Sequence, residues 1–80
     1  YPNPFNSSVR IKFNIFQKGN INIDVFDVQG RFINKITEKI FEKGNFEILW
    51  EVDKHINSGV YFVRASYEDK TKTQKILYLK

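Results

Sequence analysis

Short alternations of apolar and polar residues, separated by turn-forming residues, run along the chain. Residues 9–15 alternate without a break. Because side chains on a strand point alternately to its two faces, this pattern predicts a half-buried β-strand over about residues 8–16. The following residues 17–20 (QKGN) predict a turn in which Gly19 is free to take a positive φ.

The strongest β-forming run is SGVYFVRA, residues 58–65. Val60 and Phe62 fall on one face of this strand, and Tyr61 and Val63 fall on the other. Since both faces are largely apolar, we predict a strand that is covered on both sides. Such a strand lies in the middle of a sandwich and not at its edge.

Two further strands are predicted to form a hairpin around Gly30. The first begins at about residue 21, and its apolar parity shifts after Val25, which predicts either a bulge or burial on both faces. The second spans about residues 31–39. A helix over residues 31–43 also fits its apolar spacing, but the flanking turns and β-branched residues favour a strand. One face of that strand is predicted to hold Phe32, Ile36 and Ile40, opposite Ile33.

A fourth strand follows a turn at residues 42–45, and its alternation places Trp50 at the centre of the core. A buried indole N–H needs an acceptor, so we expect a backbone carbonyl close to Trp50. Residues 53–57 form a loop, and the last strand spans about residues 71–79. Six or seven short strands of this kind indicate an all-β fold, an antiparallel sandwich or barrel, because the connections are too short for helical crossovers.

Composition restricts the chain to one modest domain. It has 80 residues, 41% of them hydrophobic, and no cysteine, which excludes disulfides and thiolate metal sites. No run approaches the roughly 18 apolar residues that a membrane-spanning helix needs. We expect residues 1–6 (YPNPFN) to be a linker, since prolines hold their neighbours extended, and residues 7–80 to be a single domain cut from a longer protein.

The net charge of +4 is concentrated in the last eleven residues. Residues 1–69 carry nine basic and nine acidic side chains, so the excess comes from Lys70, Lys72, Lys75 and Lys80. A basic segment can bind nucleic acid or an anionic surface. We favour the alternative that these lysines protect an edge strand from pairing with other chains, because no nucleic-acid recognition motif is present.

Catalytic and metal-binding combinations are missing from the sequence. His55 is the only histidine, and no second imidazole or thiol accompanies it for zinc. Glu51 and Asp53 are too few for calcium, which takes about six to eight oxygen ligands. No serine stands in a histidine–aspartate context. We therefore predict that the chain is not an enzyme and holds no cofactor.

Three blocks of residues occur in a fixed order. They are YPNPFN at residues 1–6, IxIxVFDVxGR at residues 21–31, and SGVYFVR at residues 58–64, closed by KILYLK at residues 75–80. Over essentially the whole chain, this set resembles the type A C-terminal sorting domain of the type IX (Por) secretion system. It is also similar to the Ig-like domain of flagellar hook-capping proteins.

The resemblance implies an Ig-like β-sandwich at the C-terminus of a larger exported protein. Such domains are recognised by the outer-membrane translocon of the type IX machinery and are usually removed by a surface sortase-like protease. The protein passes through the periplasm and ends at the cell surface or outside the cell. By their place in the motif blocks, the candidate recognition residues are Gly59, Tyr61, Arg64, Lys75 and Lys80.

Lys75 and Lys80 are the stronger candidates, because a receptor could pair with an exposed basic strand edge. Gly59 and Tyr61 equally suit a turn and a packing position. The alternative function is a passive spacer or an accessory module of a secreted enzyme, for example one that binds carbohydrate. That function requires a row of exposed aromatic side chains, whereas the strand parity places Trp50 inside.

Overall fold

The computed structural model of the protein describes residues 8–80, which form six β-strands and no helix. The strands are β1 Ser8–Ile15, β2 Gly19–Asp27, β3 Phe32–Phe41, β4 Gly44–Glu51, β5 Gly59–Tyr67 and β6 Lys70–Tyr78. β1 pairs with β4 in a two-stranded sheet, and the other strands form a sheet in the order β3-β2-β5-β6. Every pairing is antiparallel. The all-β prediction is confirmed, and the architecture is compatible with an Ig-like sandwich. The predicted linker lies outside the described residues.

The core lies between the two sheets and is built from the inward positions of all six strands. In β1, Ile11 and Ile15 are buried while the polar residues between them are exposed, as the alternation predicts. A fully buried aliphatic side chain stabilises the fold by about 1.5–3 kcal/mol. The buried apolar residues are Ile11, Ile15, Ile21, Ile23, Val25, Phe41, Trp50, Val52, Tyr61, Val63, Ile76 and Tyr78.

Aromatic clusters fill the two ends of this core. We call the end at which β1 and β5 begin the proximal end; there the Trp50 ring meets Tyr61 edge-on at 5.5 Å and Tyr78 at 6.0 Å between ring centroids. The core position predicted for Trp50 is therefore confirmed. At the opposite, distal end, centroid distances of 5.1 to 6.3 Å join Phe13, Phe41 and Phe46.

The strand predicted in place of a helix at residues 31–39 is confirmed as β3, but its faces differ from the prediction. The β2–β3 ladder shifts register twice, and each shift gives β3 one extra residue, Ile33 and Ile36. Ile36 consequently packs against the core, whereas Phe32 and Ile40 remain exposed on the outer face. A strict period of two cannot anticipate such bulges. In β2 itself, the apolar pattern shifts after Val25 because Phe26 is half-buried on the outer face, whereas Val25 is buried on the inner face.

The position of β5 in the sheet matches its prediction only in part. It lies between β2 and β6, so it is an interior strand. Tyr61 and Val63 are buried on its inner face, as expected. On the outer face, however, no further layer of the described residues covers Val60 and Phe62, which are half-buried. Cross-strand neighbours alone shield these two side chains.

Gly19 serves a purpose different from the predicted one. It is the first residue of β2, and its φ is not positive. A Cβ atom at this position would lie 1.9 Å from Cε1 of Tyr67. Gly19 is thus needed because the Tyr67 ring lies directly against its backbone, and not for a turn.

Candidate recognition surface

The five candidate residues do not form one cluster. Tyr61 points into the core, and Gly59 opens β5 at the proximal end. Arg64 and Lys75 are exposed on the outer face of the four-stranded sheet, and Lys80 follows β6 at the proximal end. The structure therefore divides the set into a buried support and an exposed basic surface.

Tyr61 is held by a hydrogen bond as well as by aromatic packing. Its hydroxyl donates to the carbonyl oxygen of Asn57 over 2.7 Å, which ties the β4–β5 loop to the start of β5. The side chain is 7% exposed, so its hydroxyl and ring are not available to a partner without rearrangement. Tyr61 positions the proximal end and does not belong to its surface.

Gly59 and its neighbour Ser58 connect the start of β5 to the end of β6. Gly59 has a φ of +155°, a conformation that costs little only for glycine. The Oγ of Ser58 accepts a hydrogen bond from the backbone N–H of Lys80 over 2.9 Å. This bond extends the β5–β6 connection beyond the last ladder pair, Gly59 with Tyr78, and fixes where Lys80 leaves the sheet.

Arg64 and Lys75 are diagonal neighbours on the outer face. Phe62 pairs with Lys75 and Arg64 with Thr73, so the two cations stand on adjacent strands two residues out of register. Diagonal partners of this kind are roughly 7–8 Å apart. The Arg64 guanidinium also lies 4.2 Å from the ring centroid of Phe26, which orients it along the sheet by a cation–π contact.

A row of aromatic residues lies beside these cations. Across the strands, Phe32 pairs with Phe26, and Phe26 with Phe62. The rings of Phe26 and Phe32 meet edge-on at 6.1 Å. Leu77 on β6, paired with Val60, extends the apolar area by one row. We call the surface formed by Phe26, Phe32, Phe62, Arg64 and Lys75 the outer basic face.

The β2–β3 hairpin at the proximal end is fixed by Asp27. Its Oδ1 accepts hydrogen bonds from the backbone N–H groups of Gln29 and Arg31, each over 2.9 Å. Its Oδ2 accepts a hydrogen bond from Nε of Arg31 over 2.8 Å. These bonds, foremost the one from the Arg31 backbone, lower the pKa of Asp27 below its ordinary value. Aspartate commonly bonds to the backbone two residues further along, so the DVQGR turn carried a readable signal for this role.

The remaining polar contacts include one that sequence reasoning missed. The Trp50 N–H donates to Oδ1 of Asn34 and not to a backbone carbonyl, which corrects the prediction. Nothing local marks Asn34, because it faces inward only through the bulges of β3.

His55 is exposed, and residues 8–80 contain no group of three side chains suited to a metal ion.

The comparison with known families covers nearly the whole sequence. Residues 1–79 match the family described as secretion system C-terminal sorting domain. The chain belongs to this sorting-domain family. The resemblance to a type IX sorting domain is thereby confirmed. Among curated proteins and among solved structures, none matches the chain.

Family membership gives the domain a general role. A type IX sorting domain acts as a signal for secretion and implies export to the cell surface or the extracellular space. It also implies contact with the secretion machinery and with a cargo region on its N-terminal side. Sorting domains of this family are in general not catalytic. Within residues 8–80, no helix is long and apolar enough to cross a membrane.

Trp50 and the described tyrosines do not form a carbohydrate platform, and the aromatic row on the outer basic face consists of phenylalanines alone. Trp50, Tyr61 and Tyr78 are all buried, so none of them offers a flat ring to a sugar. Tyr67 is half-buried, and its ring packs against the backbone of Gly19. The described tyrosines and the tryptophan are therefore core residues of this sorting domain.

Proposed function

We propose that this domain directs an N-terminal cargo protein through the type IX outer-membrane translocon. The match to the sorting-domain family over residues 1–79 carries the proposal. In this role the domain is not an enzyme and uses no cofactor. It passes through the periplasm together with its cargo, and a sortase-like protease at the cell surface separates the two.

The translocon reads the outer basic face together with Lys80. Arg64, Lys75 and Lys80 are exposed, and the chain's whole excess of positive charge lies in residues 70–80. Gly59 and Tyr61 contribute indirectly, because they fix the ends of β5 and β6 between which these cations stand. Surface cations next to apolar side chains suit an acidic receptor with an apolar centre.

A deletion of residues 70–80 is a poor test of this proposal. β6 supplies Ile76 and Tyr78 to the core, and it pairs with β5 along nine residues. Its removal takes two side chains out of the core and leaves one edge of β5 unpaired, so we expect the shortened domain not to fold. A loss of export would then report misfolding and not a missing signal, so surface substitutions are required.

The proposal is tested with a reporter fused ahead of residues 1–80. The fusion is expressed in a host with the type IX machinery and in one that lacks its translocon. The test variant carries Lys75→Glu and Lys80→Glu, and the matched control carries Lys43→Glu and Lys54→Glu, which are also exposed and change the net charge equally. The fluorescence of Trp50 confirms that each variant is folded.

Export that depends on the translocon, is lost in the test variant and persists in the control supports the proposal. Equal export of both variants refutes the assignment of Lys75 and Lys80. A reporter that stays in the periplasm of both hosts refutes the sorting role itself, and it favours the spacer or accessory module.

A further inference from the structure

The sandwich is open along one side, between β1 and β6. The opening is a groove of about 410 Å³, which we call the lateral groove. It arises because a sheet of two strands covers a sheet of four. Its floor is apolar and consists of Ile11, Ile21, Ile23, Val63, Ala65 and the ring of Tyr67.

The inner face of β6 changes character where the groove begins. Ile76 and Tyr78 point inward and are buried. The preceding positions of the same parity are Lys70, Lys72 and Gln74, and all three are exposed at the mouth of the groove. β6 therefore carries core residues where β1 and β4 cover it and cations where they do not.

One edge of β1 faces the groove and has no ladder partner among the described strands. Within residues 8–80, β1 pairs with β4 alone. On the edge of β1 that faces away from β4, the carbonyl oxygen of Lys12 accepts a hydrogen bond from Nε2 of Gln74 over 3.2 Å. In an antiparallel strand, alternate residues direct both N–H and C=O to the same edge. Lys12 and Asn14 thus direct their backbone groups to the groove, and Arg10 continues the same edge just beyond it. An added strand would replace the bond that Gln74 now makes to the Lys12 carbonyl.

The charge around the lateral groove is of one sign. Lys12, Lys70 and Lys72 line it, and no aspartate or glutamate does. Within residues 8–80 none of these three lysines forms a salt bridge. The Lys72 ammonium lies 5.7 Å from the ring centroid of Phe16, a residue that is 77% exposed at the same mouth.

We infer that the lateral groove binds an extended acidic peptide segment of a partner protein. The segment pairs with the free edge of β1 and becomes a third strand of the small sheet, as in other cases of strand addition. Alternate side chains then point to the apolar floor and to the outside. Carboxylates on the outward or flanking positions neutralise Lys12, Lys70 and Lys72.

Charge argues against most of the occupants that the chain itself could supply. A second copy that brought the edge of its own β1, β3 or β6 would add an excess of lysine and arginine. Like charges at a strand edge oppose such pairing. The β4 of a second copy carries Glu47 and Glu51, so pairing of β1 with that strand is the self-association that the test has to separate from peptide binding. Residues 1–7 (YPNPFNS) contain no aspartate or glutamate, so they offer no carboxylate to the lysines of the groove.

The inference is tested with the 80-residue chain and synthetic peptides. The probe is a capped heptapeptide that alternates glutamate and valine (EVEVEVE), and the matched control has glutamine in place of glutamate. A third peptide has the glutamate sequence with alternate backbone amides methylated, which removes the donors that β1 needs. Binding is followed by the shifts of assigned backbone amide signals in nuclear magnetic resonance spectra.

We expect the glutamate peptide to bind at least about tenfold more tightly than the glutamine peptide, and the difference to vanish in about 1 M salt. The methylated peptide should not bind. The signals of Arg10, Lys12 and Asn14 should shift most. The double variant Lys12→Gln with Lys72→Gln should weaken binding about tenfold, whereas Lys43→Gln with Lys54→Gln should leave it unchanged.

Several outcomes would overturn the inference. Equal binding of the glutamate and glutamine peptides would show that the groove does not select an acidic partner. Full binding of the methylated peptide would show that the peptide does not pair with β1 as a strand. Shifts confined to the outer basic face would place the peptide on the proposed sorting surface. Self-association of the chain without peptide, or displacement of residues 1–7 from the groove, would identify a different occupant. None of these results depends on whether the domain directs secretion.

Discussion

The indole N–H of Trp50 donates to the side-chain oxygen of Asn34 over 3.1 Å and thereby joins the two sheets. Trp50 belongs to β4 of the small sheet, and Asn34 to β3, one of the two edge strands of the large sheet. Asn34 faces inward because it pairs with Val25, whose side chain is fully buried. This contact is the polar counterpart of the aromatic packing at the proximal end.

Replacement of Asn34 by leucine should therefore destabilise the domain. The variant leaves a buried indole N–H without an acceptor, which costs about 1–3 kcal/mol. Urea unfolding followed by Trp50 fluorescence measures the change in the free energy of unfolding. Asn45→Ala is the control: Asn45 accepts a hydrogen bond from Asn14 at the surface, and its loss should cost less than about 0.5 kcal/mol. Equal effects of the two variants would contradict the role of Asn34.

Two buried tyrosine hydroxyls should respond in opposite ways to removal. The Tyr61 hydroxyl has the Asn57 carbonyl as its acceptor, whereas the Tyr78 hydroxyl has no partner within residues 8–80. Tyr61→Phe should lower the free energy of unfolding by about 1–2 kcal/mol, since a carbonyl loses its donor. Tyr78→Phe should be neutral or stabilising. A substantial loss in Tyr78→Phe would instead reveal a hydrogen-bond partner for this hydroxyl.

The contribution of Asp27 to stability should depend on pH. Its pKa is lowered in the folded state by the Arg31 backbone N–H and the other donors of the hairpin. A lowered folded pKa means that the carboxylate stabilises the fold above the unfolded pKa of about 3.9 and ceases to do so as the pH falls through the folded value. The thermal midpoint of Asp27→Asn should lie below that of the wild type at neutral pH.

The gap between these two midpoints should shrink as the pH falls from about 5 to about 2. A carbon-13 titration of the Asp27 carboxyl group checks the cause directly, with an expected midpoint below the ordinary value. A gap of the same size at both ends of this pH range would show that Asp27 acts through hydrogen-bond geometry and not through its charge.

Gly59→Ala should destabilise the domain through the backbone. The Cβ atom would meet no neighbour within 4 Å, so no steric overlap with other residues is involved. The cost comes from the φ of +155°, which an L-residue adopts at an expense of about 1–3 kcal/mol. Ser58→Ala, which removes only the exposed hydrogen bond to Lys80, is the matched control. Equal thermal midpoints of the two variants would show that the backbone at residue 59 carries no strain in the alanine variant.

The strands were predictable because each carries its own local pattern. The alternation in residues 9–15 and the β-branched and aromatic run at residues 58–65 survive in the fold as β1 and β5. Short turns then force the antiparallel pairing of β2 with β3 and of β5 with β6. Membership of a sorting-domain family followed from ordered turn-and-strand blocks, which are also a property of the sequence alone.

Other features depend on contacts between distant residues and left no local trace. The bulges of β3 turn Ile36 and Asn34 to the core only because β2 pairs beside them. The apolar residues on the outer face of β5 predict a buried face. That face nevertheless borders solvent, because the two-stranded sheet covers only the inner face of β5. Gly19 looks like a turn residue, whereas the ring of Tyr67, almost fifty residues later, decides its role.

Both chain exits of the described domain lie at the proximal end, and this determines how it responds to force. Within residues 8–80, residue 8 opens β1, whose only ladder partner is β4, and residue 80 follows β6, whose only ladder partner is β5. A force that pulls the two exits apart acts across the strands. It therefore breaks the outermost ladder pair of β1 and of β6 first and then each next pair in turn. Because the pairs break one at a time and not all together, the domain resists such a force less than its equilibrium stability suggests.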